Sequence, residues 1–296
     1  MASLKEVRNR ITSVNSTMQI TKAMKMVAAA KLRRAQDRII QMRPYAKKLN
    51  ELIAQVSQGT EVGGSSPYTQ VRDVNNVLII MVTSDRGLCG AFNSNIIKTA
   101  LTYINDNYAS QLAKGSVSVM SFGKKGSEAF TRRGIKVDNE FTDIFTRLSF
   151  DTAKEAAEKV MAAYAEGLYD EVVVVYNEFK NVATQILKTE KILPLVSDES
   201  SESNNSNSGN VDYIFEPSEE EIILELIPKA IKLTIFKAIL DSNASEHGAR
   251  MTAMDKATEN GGDLLKALKI EYNRSRQAAI TKEILEIVGG AEALKA

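Results

Sequence analysis

Apolar residues recur at alternating steps of three and four from the start of the chain: Leu4, Val7, Ile11, Val14, Met18, then Thr21 and Lys25, then Ala28, Leu32, Ala35, Ile39, Met42, Ala46, Leu49, Ile53 and Val56. Only Thr21 and Lys25 are polar. The spacing predicts one helix over residues 1–58, with Ser3 and Glu6 forming a capping box at its start. At 1.5 Å per residue it spans about 80 Å, far beyond an ordinary globular helix. A lone helix cannot bury such a seam, so the pattern demands a partner helix. Pro44 removes a backbone donor and predicts a kink near Gln41–Arg43. Gly59 and the run Gly63–Pro67 end the helix.

The period then changes. Val77–Thr83, Val117–Phe122 and Glu171–Tyr176 are continuous apolar runs that read as buried strands, and Val182–Leu193 reads as one more. Between them Asn93–Tyr108, Lys124–Arg133 and Thr152–Gly167 read as helices. Strands alternating with helices predict a parallel α/β sheet over residues 70–215. Residues 197–210, rich in Ser, Asn and acid, bury nothing and predict a flexible loop, with Val211–Phe215 returning as a strand.

A second long helix is predicted over residues 218–290, bent or broken in its first turns by Pro228. Its seam runs Leu240, Ala244, His247, Met251, Met254, Thr258, Gly261, Leu265, Leu268, Tyr272, Ser275 and Ala279. Many of these side chains are small, which allows close approach. The simplest closure is an α/β protein in which N- and C-terminal helices form a long antiparallel coiled coil, with the sheet domain inserted between them. The last turns, carrying Ile284, Ile287 and Val288, then project past the start of the first helix and need a socket.

Net charge over the 296 residues is +1, but its distribution is uneven. Residues 1–48 carry many lysines and arginines against only Glu6 and Asp37, while 198–225 hold carboxylates and neither Lys nor Arg. A basic helix calls for an acidic neighbour: nucleic acid, anionic lipid or an acidic protein surface. No apolar run approaches the roughly 20 residues that span a bilayer. The seam begins at Leu4, so no cleaved targeting segment is expected. Cys89 stands alone, which excludes an internal disulfide framework.

Catalytic chemistry is sparse. There is no G-x-x-x-x-G-K-[ST] phosphate loop. Asp85-Arg86-Gly87-Leu88-Cys89-Gly90 follows a strand but lacks G-x-G-x-x-G spacing, and reads as a tight turn eased by glycine. Gly123-Lys124-Lys125-Gly126 also follows a strand; its lysines could meet phosphate, with a solvated turn as the rival reading. His247 has no metal-ligand cluster near it in sequence, and Cys89 no histidine motif. No catalytic residue, metal or cofactor is expected.

Where Thr21 and Lys25 interrupt the seam, Ile20, Met24 and Val27 carry the apolar stripe sideways. The reading is either local repacking or a contact surface for an acidic third partner, flanked by Lys22, Lys25, Lys31, Arg33 and Arg34. On the far helix Arg274, Arg276, Gln277, Thr281 and Lys282 cluster near the end. With Met24 they suggest one polar collar.

At these residues the chain resembles the gamma subunit of bacterial F-type ATP synthases. Three stretches carry the likeness: Ile20–Lys31 (ITKAMKMVAAAK), Ser84–Asn95 (SDRGLCGAFNSN), and Ala244–Met251 (ASEHGARM) continuing through Tyr272–Thr281 to Gly289-Gly290-Ala291. The resemblance implies a Rossmann-like inserted domain and a rotor that couples ion flow to ATP synthesis. Its partners would be the alpha and beta subunits, the epsilon subunit and the c-ring, not nucleic acid. It would sit peripherally on the cytoplasmic side of the inner (plasma) membrane, with catalysis in the beta subunits. It places Met24 against an acidic beta-subunit loop, and Arg276, Gln277 and Thr281 at polar beta-subunit contacts. Lys25, Arg250, Arg274 and Glu283 complete the implied partner-binding set. Lys25 stands where many relatives carry Glu. The 197–210 loop resembles an insertion, unlike the cysteine-bearing one of the chloroplast form.

Overall fold

The computed structural model describes residues 4–57, 66–195 and 219–293. Ser3, the 197–210 segment and Val211–Phe215 lie outside the described residues, as do the side chains of Ile53 and Val56. Helix α1 covers Leu4–Ser57. The central elements follow as β1 (Val77–Val82), α2 (Phe92–Asn107), α3 (Ala109–Ala113), β2 (Val117–Phe122), α4 (Lys124–Thr131), β3 (Lys136–Asp138), a 3₁₀ turn, α5 (Phe150–Ala165), β4 (Glu171–Phe179) and β5 (Gln185–Leu193). Helix α6 spans Glu219–Ala293.

The five strands lie in the order β3-β2-β1-β4-β5; the first four are parallel and β5 runs antiparallel to β4. β1 along its length and β4 from Val172 to Tyr176 are apolar because both faces are covered. Leu78, Ile80 and Val82 point to one side, where Ala153, Ala156, Val160 and Tyr164 of α5 pack with Ile227, Ile231, Ile235 and Ile239 of α6. Val77, Ile79 and Met81 point to the other, onto Phe92, Ile96, Ala100 and Ile104 of α2 and Phe130 of α4. Ser149 caps α5: its hydroxyl accepts from the Thr152 amide while its own amide donates to the Thr152 hydroxyl. The sequence predicts a strand from Val182. It starts at Gln185 instead, because the Asn181 side-chain oxygen accepts from the amides of Ala183 and Thr184 and holds a turn there.

The chain forms two compact units, Met1–Ala29 with Arg250–Ala296, and Ala30–Ala249. In the first, α1 and α6 run antiparallel. The Thr21 and Thr258 hydroxyls lie 2.8 Å apart, Lys25 Nζ is 2.5 Å from Asp255 Oδ1, and a Cβ on Gly261 would lie 2.7 Å from Met18. Each step back along α1 is matched by an equal step forward along α6. By this register Leu4 lies level with Ser275, and residues 280–291 are exposed on every face.

In the second unit α1 keeps its seam: Leu32, Ala35, Ile39, Met42 and Leu49 are buried. Helix α6 does more than the sequence predicted, because no residue from 230 to 249 is exposed. A heptad describes one buried stripe, whereas this stretch also covers the sheet. Neither proline breaks its helix: α1 continues through Pro44 and α6 through Pro228.

Candidate functional site

The seam interruption becomes a polar patch with apolar residues beside it. Thr21 and Lys25 turn inward to Thr258 and Asp255. The stripe displaced by this exchange faces out: Ile20 is 62 % exposed, Met24 38 %, Met26 63 % and Val27 48 %. Lys22 lies among them, also exposed. Polar pairs at seam positions fix register at little gain in stability. Lys25 and Asp255 are both solvent-accessible, so their ion pair contributes at most about 1 kcal/mol. Accordingly Lys25→Asp should lower thermal stability only slightly, and Lys25→Asp with Asp255→Lys should recover it. A double-mutant cycle without that recovery refutes the pairing.

Farther along α6, Arg274, Arg276, Gln277 and Glu283 are exposed, and the Thr281 hydroxyl donates to the Gln277 carbonyl at 2.9 Å. Ile280, Ile284, Leu285, Ile287 and Val288 stand exposed among them. The single collar expected from the sequence is not formed. Met24 and Lys25 lie level with Asp255, and Arg274 is about 28 Å farther along the helix at 1.5 Å per residue. The expected residues make two bands, and the continuous rise of α6 is what separates them. Arg250 belongs to neither, being a buried residue at the edge of its unit. The sequence pattern places Thr258 only as a seam residue and does not mark Asp255. The antiparallel register was the signal that could have found them, since it sets each opposite a polar seam residue.

The carboxyl ends of β1 and β4, flanking the point where α/β folds of this order bind ligands, are covered by α6. The Ser242 hydroxyl of α6 donates to the Val82 carbonyl at 3.1 Å, and the Ser245 hydroxyl donates to the Asn177 carbonyl at 3.1 Å. The start of α4, a natural phosphate cradle, is satisfied from within. The Gly126 amide donates to the Thr83 hydroxyl at 2.9 Å, the Lys125 amide to the Ser84 carbonyl at 3.1 Å, and the Lys124 amide to the Asp85 carboxylate. Burial pushes the Asp85 carboxyl above its usual range, and neighbouring Glu246 and Asp143 add to the shift while the Lys124 amide opposes it. Lys124 is paired with Asp143 at 2.8 Å, which raises its ammonium pKa, and Lys125 is paired with Glu128 at 2.8 Å. Both lysines are engaged with carboxylates.

The turn after β1 is braced internally. Asn93 accepts from the Ser84 amide and donates to both the Ser84 hydroxyl and the Cys89 sulfur. Gly90 and Leu88 both adopt positive φ, and Leu88 is turned out to solvent. Cys89 is buried. His247 is half-buried, its Nδ1 4.0 Å from Glu246 Oε1. Among the described residues no group of His, Cys, Asp or Glu could hold a metal ion, and no helix is long and apolar enough to cross a membrane.

Fold and surface together define a mixed α/β protein with long N- and C-terminal helices and a central sheet, and exposed apolar and cationic bands lie on the helices. The family model described as ATP synthase matches residues 3–294. The chain is 60 % identical to the ATP synthase gamma chain of Cytophaga hutchinsonii over 99 % of both chains, and 54 % identical to that of Flavobacterium johnsoniae over 99 % of both. It is 50 % identical to the Chlorobaculum tepidum gamma chain over the full length of each. Among solved structures it is similar to a chain of the central stalk and c-ring of the Tetrahymena thermophila mitochondrial ATP synthase. That match has a TM-score of 0.59 and 25 % identity, and it covers 80 % of this chain and 99 % of that one. A chain of the Euglena gracilis mitochondrial enzyme shares the fold, with a TM-score of 0.65 at 21 % identity over 98 % of this chain and 94 % of that one. The chain belongs to the ATP synthase gamma-chain family. Its role is that of a central-stalk rotor subunit in an F-type, membrane-associated ATP synthase.

Proposed function

We propose that the chain carries torque and performs no catalysis of its own. Its functional parts are residues 1–58 and 218–290, which form the axle, and 70–215, which form the domain that meets the epsilon subunit and the c-ring. The observation that carries this reading is the outward stripe Ile20, Met24, Met26 and Val27 on a helix whose seam is satisfied elsewhere. Such a stripe suits a partner that touches it and lets go. The closed mouth of the sheet agrees, because a nucleotide would have to displace Ser242, Ser245 and the internal cap of α4.

In the complex the alpha and beta subunits supply the catalytic sites. Each site changes nucleotide affinity as a different face of the axle favours one of its conformations. Met24 and Lys25 form the lower contact band. Arg274, Arg276, Gln277, Thr281 and Glu283 form the upper one, and the apolar end of α6 enters a socket. Arg250 acts from within the chain, on the stiffness of the pair. The subunit sits peripherally, on the cytoplasmic side of the inner (plasma) membrane.

A turning axle must not bind one angle too strongly. Met24→Lys adds a second outward cation beside Lys22, facing an acidic partner. It should lower ion pumping per ATP hydrolysed while leaving assembly intact. Vesicles holding the variant complex test this by comparing ion uptake with phosphate release. A pumping ratio equal to that of the unaltered complex refutes the role of Met24. A tagged chain that recovers no alpha and beta subunits refutes the rotor reading.

A further inference from the structure

The contact between α6 and the sheet is one path for torque between the α/β domain and the axle, beside the Lys232–Glu158 ion pair to α5 and the bond from Arg38 of α1 to the Leu148 carbonyl. Most of that contact is apolar: Ile227, Ile231, Ile235 and Ile239 lie against the strands. Apolar burial is non-directional and resists separation more than it resists rotation or sliding of a helix about its own axis. Two contacts differ in kind. Ser242 and Ser245 are three residues apart and so share one face of α6. Both are buried, at 1 % and 0 % exposure. One hydroxyl bonds the last carbonyl of β1, and the other bonds a carbonyl near the end of the adjacent parallel strand β4. Hydrogen bonds are directional, and a carbonyl left unpaired in a dry site is costly. The pair is therefore satisfied at one rotational setting of the helix. One turn beyond Ser245, Gly248 brings α6 close to the β4–β5 turn, where a Cβ would lie 3.4 Å from the Val182 carbonyl.

We propose that Ser242 and Ser245 key α6 to the carboxyl edge of the sheet, as positioning residues that stop the axle slipping under load. This inference rests on the rotor reading and assigns a place to its torque path. The same two bonds place the helix, among the described residues, over the carboxyl ends of β1 and β4.

The test uses the full complex in vesicles, carrying Ser242→Ala, Ser245→Ala or both, with the exposed Ser110→Ala as control. Each substitution removes a hydroxyl and little volume. Each lost bond should make the released setting of the helix about five-fold more populated. ATP hydrolysis in the double variant should stay near that of the unaltered complex. Its ion uptake per ATP should fall about two-fold, with the single variants between. A merely structural role would lower hydrolysis and uptake together and leave their ratio unchanged. If the double variant does not assemble, the single variants decide by the same ratio. An unchanged ratio, with the unaltered complex coupling normally, overturns the key and leaves the rotor reading standing. An unaltered chain that restores no coupled uptake to a complex lacking it overturns the rotor reading itself.

Discussion

Replacing Gly123 by alanine should cost the fold about 4 kcal/mol, the sum of a backbone penalty and a collision. Gly123 sits between β2 and α4 with φ of 97°, a conformation that L side chains rarely adopt. A Cβ there would lie 2.2 Å from the Thr83 carbonyl oxygen and 2.7 Å from its carbon. Those atoms are backbone at the end of β1 and have nowhere to go, because the Thr83 amide is bonded to the Phe122 carbonyl at 2.8 Å. Moving Thr83 would also release the Gly126 amide that its hydroxyl receives. Gly134 separates the two causes. Its φ is 73° but nothing lies within 4 Å of a Cβ, so Gly134→Ala should cost only about 1 kcal/mol. Urea denaturation of the isolated chain reads both. A Gly123→Ala loss no larger than that of Gly134→Ala shows that the approach to Thr83 does not govern the turn.

The helical pair was legible because burial of one stripe obeys a short arithmetic. Every seam residue from Leu4 to Leu49 is buried or half-buried, and the interruption at Thr21 and Lys25 turns Ile20, Met24 and Val27 outward as the pattern required. The strands were legible because both faces of β1 and β4 are covered, leaving no alternation to confuse with helix. The middle of α6 was not. Asp241, Ser242, Ser245 and Glu246 lie off the predicted seam, yet each is buried. The two serines donate to carbonyls at the ends of β1 and β4, a long-range fact that no local pattern encodes. Pro228 does not break α6. A missing donor at Pro228 removes one backbone bond, and the packing of Ile227 and Ile231 into the core on either side holds the helix through it. The polar collar failed for a geometric reason. Both groups lie toward the same end of the antiparallel pair, but 19 residues of rise intervene between Asp255 and Arg274.

Asp241→Asn should stabilise the chain at pH 8 and do so less as pH falls. Asp241 is 3 % exposed, and its Oδ1 has no hydrogen-bond partner. Burial pushes its carboxyl up to about 6. Lys237 on α6 and Arg43 on α1 oppose the shift, while Glu178 on β4 and Glu190 on β5 add to it. The same setting pushes the phenol of Tyr176 upward, mainly through burial and then through Glu190, to which its hydroxyl donates at 3.0 Å. A raised carboxyl means that the folded chain holds this proton more tightly than the unfolded chain does. The stabilising contribution is complete below the unfolded value near 4 and is lost as pH rises through 6. By pH 8 the ionised carboxylate burdens the fold by about 3 kcal/mol relative to acid. Asparagine keeps the shape, carries no charge and does not titrate. It forfeits about 1 kcal/mol if its amide finds no acceptor, leaving a net gain of about 2 kcal/mol at pH 8. Urea midpoints of both chains at pH 5 and pH 8 measure this, and the advantage of the variant must grow with pH. A constant gap between the two chains would show that Asp241 is already ionised at pH 5, held by Lys237 and Arg43 against the cost of burial.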